Sequence, residues 1–416
     1  MKITGVITEY NPFHNGHKLH IENTRKLTNA DYIIAVMSGS FVQRGEPAVI
    51  DKYIRTEAAL KAGVDLVVEL PAPFSCASAE YFAGASIALL DKLGIIDNIV
   101  FGSECGEINA LKEIARILAD EPDIFKQNMN AFLRSGIPYP LAMSKAYFSC
   151  KSTVSDIITD SPDYMSSPNN MLGIEYIKAL IKRNSKITPL TYARTGSYND
   201  TTLENDYPSA SAIRSALSNA YASETLPEKL NNHIPDFALK LMNDNYKKSF
   251  PIYIDDFSLP LSYLLLSATD LTGYSDVSAD IENRIKKASG IRFSCSEIID
   301  SVKTKAFTRA RISRCLMHIL LDIKSSDMAI YKNNDYISYA RILGFKKSSK
   351  PLLSEIKKHS SIPLITKLAG YEKEIDELNA SILRKEIFAS DLYQAAASNK
   401  YRTAPKNEFT EGVIII

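Results

Sequence analysis

Cysteine is scarce in this chain and never clustered. Its five copies, Cys76, Cys105, Cys150, Cys295 and Cys315, are scattered through 416 residues. No pair has the short spacing of a zinc or redox motif, and the odd count does not suit a disulfide framework. Reduced thiols in a cytosol are the expectation, with a nucleophilic cysteine the lesser alternative. Long apolar runs are also missing, since nothing approaches the ~20 residues that a membrane-crossing helix needs. Met1-Lys2 leads into a short strand followed by Glu, Asn and His, which is not the pattern of a signal peptide. Neither sign of charge is in excess: the net charge is +1, which argues neither for nor against nucleic acid. No internal repeat or low-complexity segment stands out. A cytoplasmic location is expected, with no membrane and no protein partner indicated.

What is present is the composition of a globular protein, 45% hydrophobic and 23% charged. The length exceeds one ordinary core, so two or three domains are expected. Short apolar runs occur at Ile3–Ile7, Tyr32–Met37, Leu66–Leu70 and Ile99–Phe101, with a fifth at Ile187–Tyr192. Amphipathic helical patterns separate them, at Gly16–Leu27, Lys52–Ala62, Ala79–Leu93, Asn170–Arg183 and Ser209–Asn219. Strands apolar on both faces, alternating with helices, predict an α/β fold with a Rossmann-like parallel sheet over residues 1–220. A helical insertion is expected at about 107–165. Residues 221–416 read as a mainly α-helical, basic C-terminal region. Between Glu282 and Lys358 there are 17 Lys and Arg against 7 Asp and Glu, a local surplus that the near-neutral total hides.

Two short motifs carry the chemistry. His14-Asn15-Gly16-His17 follows the first strand and opens the first helix. In an open parallel sheet, ligands bind beyond the carboxyl ends of the strands, and a helix start there offers unpaired N–H groups and a positive dipole end. Gly16 lets phosphate or adenine approach the backbone. His14 and His17 can donate to phosphoryl oxygens as charge builds at the α-phosphorus, and Lys18 and His20 add possible donors. The second motif is Ser209-Ala210-Ser211-Ala212-Ile213-Arg214, at the start of a later helix. Either serine alone is best read as a helix cap. With Arg214, whose planar fork pairs phosphate oxygens bidentately, Ser209 and Ser211 can grip the departing pyrophosphate.

With both motifs in place, the chain resembles the HIGH-motif nucleotidyltransferases related to class I aminoacyl-tRNA synthetases. Ala210 stands where that superfamily usually has another hydroxyl. More narrowly, it is similar to the bacterial tRNA(Met) cytidine acetate ligases. The matching segments are Ile7-Thr8-Glu9-Tyr10-Asn11-Pro12-Phe13-His14-Asn15-Gly16-His17, Met37–Pro47, Phe101-Gly102-Ser103-Glu104, Ser167–Tyr176 and Thr308–Arg314. The resemblance implies that ATP and acetate form acetyl-adenylate. The acetyl group then passes to the exocyclic amine of the wobble cytidine of elongator tRNA(Met). It places ATP on the segment from Ile7 to His20, which takes in Lys18 and Leu19, and on Gly102, Asn169 and Arg194. Mg²⁺ is expected to bridge the phosphates. No residue is assigned as its ligand, and Glu9 and Glu104 are weak candidates.

Several roles stay open on the residues alone. Gly102 fits a nucleotide contact or a plain turn, and Asn169 a nucleotide contact or a helix cap. Gln43 and Arg44 follow strand two on the same rim, to line the acetate or cytidine side or to sit in a salt-bridged loop. Arg44, Arg309, Arg311, Arg314, Lys346 and Lys347 are the candidate RNA contacts. Tyr331, Tyr336 and Tyr339 lie between the basic clusters, either stacking on loop bases or packed in the core. The competing functions are an adenylyltransferase acting on a small phosphate ester and a non-catalytic RNA-binding module.

Overall fold

The computed structural model describes residues 1–137, 139–151, 163–194, 203, 207–220, 223–292 and 294–416. The first half alternates as its apolar runs dictate. Strand β1 (Ile3–Thr8) leads to helix α1 (Asn15–Thr28), then β2 (Tyr32–Ser38). A small hairpin follows, β3 (Phe41–Val42) against β4 (Glu46–Pro47), and then α2 (Lys52–Ala62) and β5 (Leu66–Leu70). Next come α3 (Ala72–Ser75), α4 (Ala79–Lys92) and β6 (Asn98–Ser103). Helices α5 (Ile108–Asp120), α6 (Asp123–Arg134), α7 (Tyr139–Lys151), α8 (Asp163–Ser166) and α9 (Pro168–Lys182) lead to β7 (Thr188–Ala193) and α10 (Ala210–Asn219).

Strands β5, β2, β1, β6 and β7 lie side by side in that order, all parallel. Nearly every residue of β2 and β5 is buried, because helices cover both faces of the sheet. The chain builds outward from β1 to β5, then returns and builds the other way from β6. Strand order therefore reverses between β1 and β6, and that crevice is where an open α/β sheet binds its ligand.

The second half is helical, with α11 (Asp236–Asn245), α12 (Ser258–Ser267), α13 (Ala279–Ser289), α14 (Cys295–Val302), α15 (Arg309–Leu320) and α16 (Ser325–Asn333). It then returns to the sheet. Strand β8 (Ala340–Phe345) pairs antiparallel with β5. After α17 (Lys350–His359), β9 (Leu364–Ile365) pairs with β8; after α18 (Glu377–Tyr401), so does β10 (Ile414–Ile415). These strands were not expected from the sequence. A charged cluster buried under α18 locks this junction. Lys52 Nζ meets Glu69 Oε1 at 2.6 Å, Glu408 Oε2 at 3.0 Å and Glu386 Oε1 at 3.2 Å. Arg341 on β8 bonds Glu69 at 2.9 Å and Glu408 at 2.5 Å. Among the described residues no helix is long and apolar enough to cross a membrane.

Candidate active site

A cavity of about 220 Å³ opens at the β1–β6 crevice. Its walls come from the carboxyl ends of three strands: Ile7 to Tyr10 after β1, Phe101 and Gly102 on β6, Tyr192 and Arg194 at β7. Helix α1 contributes His14, Gly16, His17, Leu19 and His20; α10 brings Ser209, Ala210, Ser211 and Arg214; the hairpin brings Gln43 and Arg44. Glu9 is the sole carboxylate among the described lining residues, against Arg44, Arg194 and Arg214. The cavity is thus biased toward a polyanion. An apolar wall of Phe82, Phe101, Leu172 and Tyr176 completes it, suited to the flat face of a base.

The two motif histidines are held as neutral rings. His14 caps α1: its Nδ1 accepts the Gly16 N–H at 3.1 Å. A neutral ring whose Nδ1 accepts must carry its proton on Nε2, which leaves Nε2–H as a donor. Burial, with Arg194 and Arg214 nearby, pushes the His14 pKa down to about 3. Burial and the neighbouring His14 also hold His17 well below the usual range. The two rings lie 3.8 Å apart, and His17 Nδ1 is shut from solvent with no partner among the described residues. His20 Nδ1 meets the Tyr192 hydroxyl at 2.7 Å.

Gly16 has a more local job than close approach by phosphate. A Cβ there would come within 2.8 Å of the His14 ring, so the glycine makes room for the cap. Gly102 serves Arg194 in the same way, since a Cβ would sit 2.7 Å from Arg194 Cγ. The arginine lies across β6 and donates to Asn169 Oδ1 at 2.9 Å. Asn169 is not the cap of α9; the Glu104 carboxylate is. Glu104 accepts from the N–H groups of Asn169 (3.1 Å) and Asn170 (2.8 Å), and from Asn169 Nδ2 (2.7 Å). A relay from Glu104 through Asn169 thereby aims Arg194. On the far wall, Arg214 donates to Asn11 O at 2.8 Å and Ser211 Oγ at 3.1 Å, while Ser209 caps α10 through the Ala212 N–H.

The chain matches a family model described as HIGH Nucleotidyl Transferase over residues 1–408. Two similar curated proteins are both named tRNA(Met) cytidine acetate ligase. One, from a Thermoanaerobacter species, is 42% identical over 403 residues, 96% of each chain. The other, from Acetivibrio thermocellus, is 40% identical over 420 residues, 100% of each. The chain belongs to the tRNA(Met) cytidine acetate ligases, within the HIGH nucleotidyl transferase family. The solved Thermotoga maritima TmcAL, bound with alpha-thio ATP, is 30% identical and superposes with a TM-score of 0.91 over all of both chains.

In this family member most of the expected site residues converge. Ile7, Thr8, Glu9, Tyr10, His14, Gly16, His17, Leu19, His20, Gly102, Asn169 and Arg194 line one cavity with Ser209, Ser211 and Arg214. Five others do not reach it. Lys18 points outward and is exposed. Pro12 and Phe13 are buried. Asn15 turns away to bond Asn232 O, and Asn11 takes the Val49 N–H with its side chain. The aromatic wall was not foreseen, because Phe82, Tyr176 and Tyr192 read as ordinary core positions of helices and strands.

The basic residues do not form one patch. Arg44 lines the cavity. Arg309 and Arg311 begin α15, which packs behind the hairpin: Ser313 Oγ donates to Gly45 O at 2.6 Å. Arg314 is engaged by Asp276 at 2.8 Å, so its head group is already committed within the protein. Lys346 and Lys347 follow β8, which runs antiparallel to β5, and Lys346 lies near Asp65 at the amino end of that strand. They therefore sit at the opposite edge of the sheet from the cavity. Tyr331 and Tyr339 are buried in the core, which rules them out as base-stacking platforms; Tyr336 packs against Phe74 and Tyr81. Among the described residues no group of three or more His, Cys, Asp and Glu gathers for a metal. Glu104 is occupied as a cap, which leaves Glu9 as the one carboxylate of the cavity's described lining.

Proposed function

We propose that the protein joins acetate to ATP as acetyl-adenylate and transfers the acetyl group to the exocyclic amine of the wobble cytidine of elongator tRNA(Met), in the cytoplasm. The observation that carries this reading is the cavity itself. It has two neutral histidines on one wall and three arginines on the others, at the switch point of a fold that matches the acetate ligases end to end.

The chemistry asks little covalent work of the protein. Acetate is a poor electrophile until it becomes a mixed anhydride, and ATP provides the leaving group. The site must align the carboxylate with the α-phosphate and stabilise developing charge. His14 is suited to this as a neutral donor through Nε2–H, since it contributes a fixed dipole without carrying a net charge. His17, whose buried Nδ1 has no partner among the described residues, adds a second polar group. Arg214 and Ser211 take the pyrophosphate side, and Arg194, aimed by Asn169, takes the nucleotide side. The aromatic wall receives adenine. No step is assigned to magnesium. Arg44 in the cavity wall, with Arg309 and Arg311 on the helix behind the hairpin, is assigned to the tRNA backbone.

Pyrophosphate–ATP exchange tests the reading. Exchange that depends on acetate is expected. Exchange that requires a phosphate ester instead would replace it with a metabolite adenylyltransferase, and tRNA binding with no exchange would indicate a binding module. Affinity for tRNA should fall steeply with salt, and the double replacement of Arg309 and Arg311 by Gln should flatten that dependence by about two phosphate contacts.

A further inference from the structure

The proposed transfer step lacks a base. When the cytidine amine attacks the acetyl carbonyl, a C–N bond forms and the bond from carbonyl carbon to the phosphate oxygen breaks. AMP leaves with that electron pair, and the nitrogen must shed one proton. We propose that Glu9 is the catalytic residue that takes this proton, an assignment that rests on the acetyl-transfer reading above.

Three observations converge on it. Glu9 is the only carboxylate among the described lining residues of the cavity. Its position is fixed at both ends. The Glu9 carbonyl accepts from Arg55 Nη1 at 2.7 Å, and that buried guanidinium also bonds Ser38 O at 2.9 Å and Ile50 O at 3.0 Å. The carboxylate accepts the Gln43 N–H through Oε1 at 2.8 Å. Its Oε2 has no partner among the described residues. The side chain is therefore oriented and yet keeps one oxygen for an external N–H.

The surroundings say which substrate supplies that N–H. Gln43 belongs to the hairpin that also places Arg44 in the cavity, and the hairpin is backed by α15, whose first turn carries Arg309 and Arg311. Glu9 thus stands where the cavity meets the RNA-facing side, whereas Arg194 and Asn169 hold the other wall. The proton affinities agree. Burial raises the Glu9 pKa above 4.5 despite Arg214 on α10, Arg44 on the hairpin and Arg55 on α2, the charged groups that face it. His14 and His17 have theirs lowered and are poor bases.

Glu9→Gln separates the two half-reactions. Gln keeps an acceptor for the Gln43 N–H and the same volume, and near-ultraviolet circular dichroism checks its fold. Acetate-dependent exchange should fall by less than about tenfold. Single-turnover transfer to tRNA(Met) should fall by ~10²–10⁴, the range for losing a general base. Wild-type transfer should also slow as pH drops through the raised Glu9 pKa, with no such slowing in the variant. Transfer at the wild-type rate would overturn the assignment. Equal losses in exchange and transfer would overturn it too, moving Glu9 to the ATP step. Absence of acetate-dependent exchange in the wild type would instead sink the underlying function.

Discussion

Adding one methyl group at Gly102 tests how ATP is gripped. The new Cβ would lie 2.7 Å from Arg194 Cγ and 3.2 Å from its Cδ. Carbon atoms at rest keep ~3.5–4.0 Å, so the arginine must yield by about 1 Å. Its bond to Asn169 Oδ1, now 2.9 Å, would then exceed the ~3.5 Å at which a hydrogen bond ceases to count. A hydrogen bond involving a charged group is worth ~1.5–3 kcal/mol, so ATP should bind about 12- to 150-fold more weakly. Isothermal titration with a non-hydrolysable analogue reads this directly. Asn169→Ala should weaken binding by a similar factor, because it removes the acceptor that aims the same guanidinium. The double variant should be little worse than either single one, since both act by misaiming Arg194. Wild-type affinity in Gly102→Ala, or losses that simply add, would refute the relay from Glu104 through Asn169 to Arg194.

Two further outcomes concern buried charge. In the cluster under α18, burial and the adjacent Glu69 push the Glu386 pKa up to about 8, so Glu386→Gln should leave denaturant stability nearly unchanged at pH 7. Lys52→Met should cost about 3–5 kcal/mol, because it leaves the two buried carboxylates Glu69 and Glu408 to Arg341 alone; equal effects from the two variants would contradict this charge assignment. His14 is neutral when folded, its pKa lowered to about 3, but titrates near ~6.5 when unfolded. The unfolded chain therefore binds the extra proton, and stability is full above ~6.5 and lost as pH falls toward 3, by about 1.4 kcal/mol per pH unit. Urea melts from pH 7.5 downward should show at least that slope, since His17 and His20 are lowered too, and His14→Asn, which keeps an acceptor for the Gly16 N–H, should reduce it; an unchanged slope would place the titration elsewhere.

The nucleotide half was legible because its physics is local. A parallel strand covered on both faces must be apolar throughout, so β1, β2, β5, β6 and β7 lie within two residues of the runs that mark them. The histidines and Arg214 were legible because a helix start after such a strand has one chemical use that repeats. Residues whose purpose is another side chain were not. Gly16 read as an opening for a ligand and Gly102 as a nucleotide contact or a plain turn; both line the cavity, and in addition one clears the His14 ring and the other the Arg194 stem. The Phe41–Pro47 hairpin, with two-residue strands, is too short for any alternation to register.

The basic C-terminal half shows why counting charges along a chain misleads. Strand β8 reads Ala340-Arg341-Ile342-Leu343-Gly344-Phe345, an apolar run broken by one arginine. It was not among the strands expected from the sequence. In the fold its arginine is 6% exposed and holds Glu69 on β5 and Glu408 near the C-terminus, acids that lie hundreds and tens of residues away. Without both acids the same arginine would be costly to bury, by several kcal/mol for an unpaired ion. The strand therefore exists only because its counter-charges arrive from elsewhere, and no window along the chain contains them. Arg314 repeats the case with Asp276, drawn from the loop before α13. A positive surplus becomes evidence for RNA contact only after such buried pairs are set aside; Arg309 is also paired, with Asp300 at 2.7 Å, but on the exposed surface where such a pair is weak, so Arg309 and Arg311 together with Arg44 are the residues on which the salt dependence should rest.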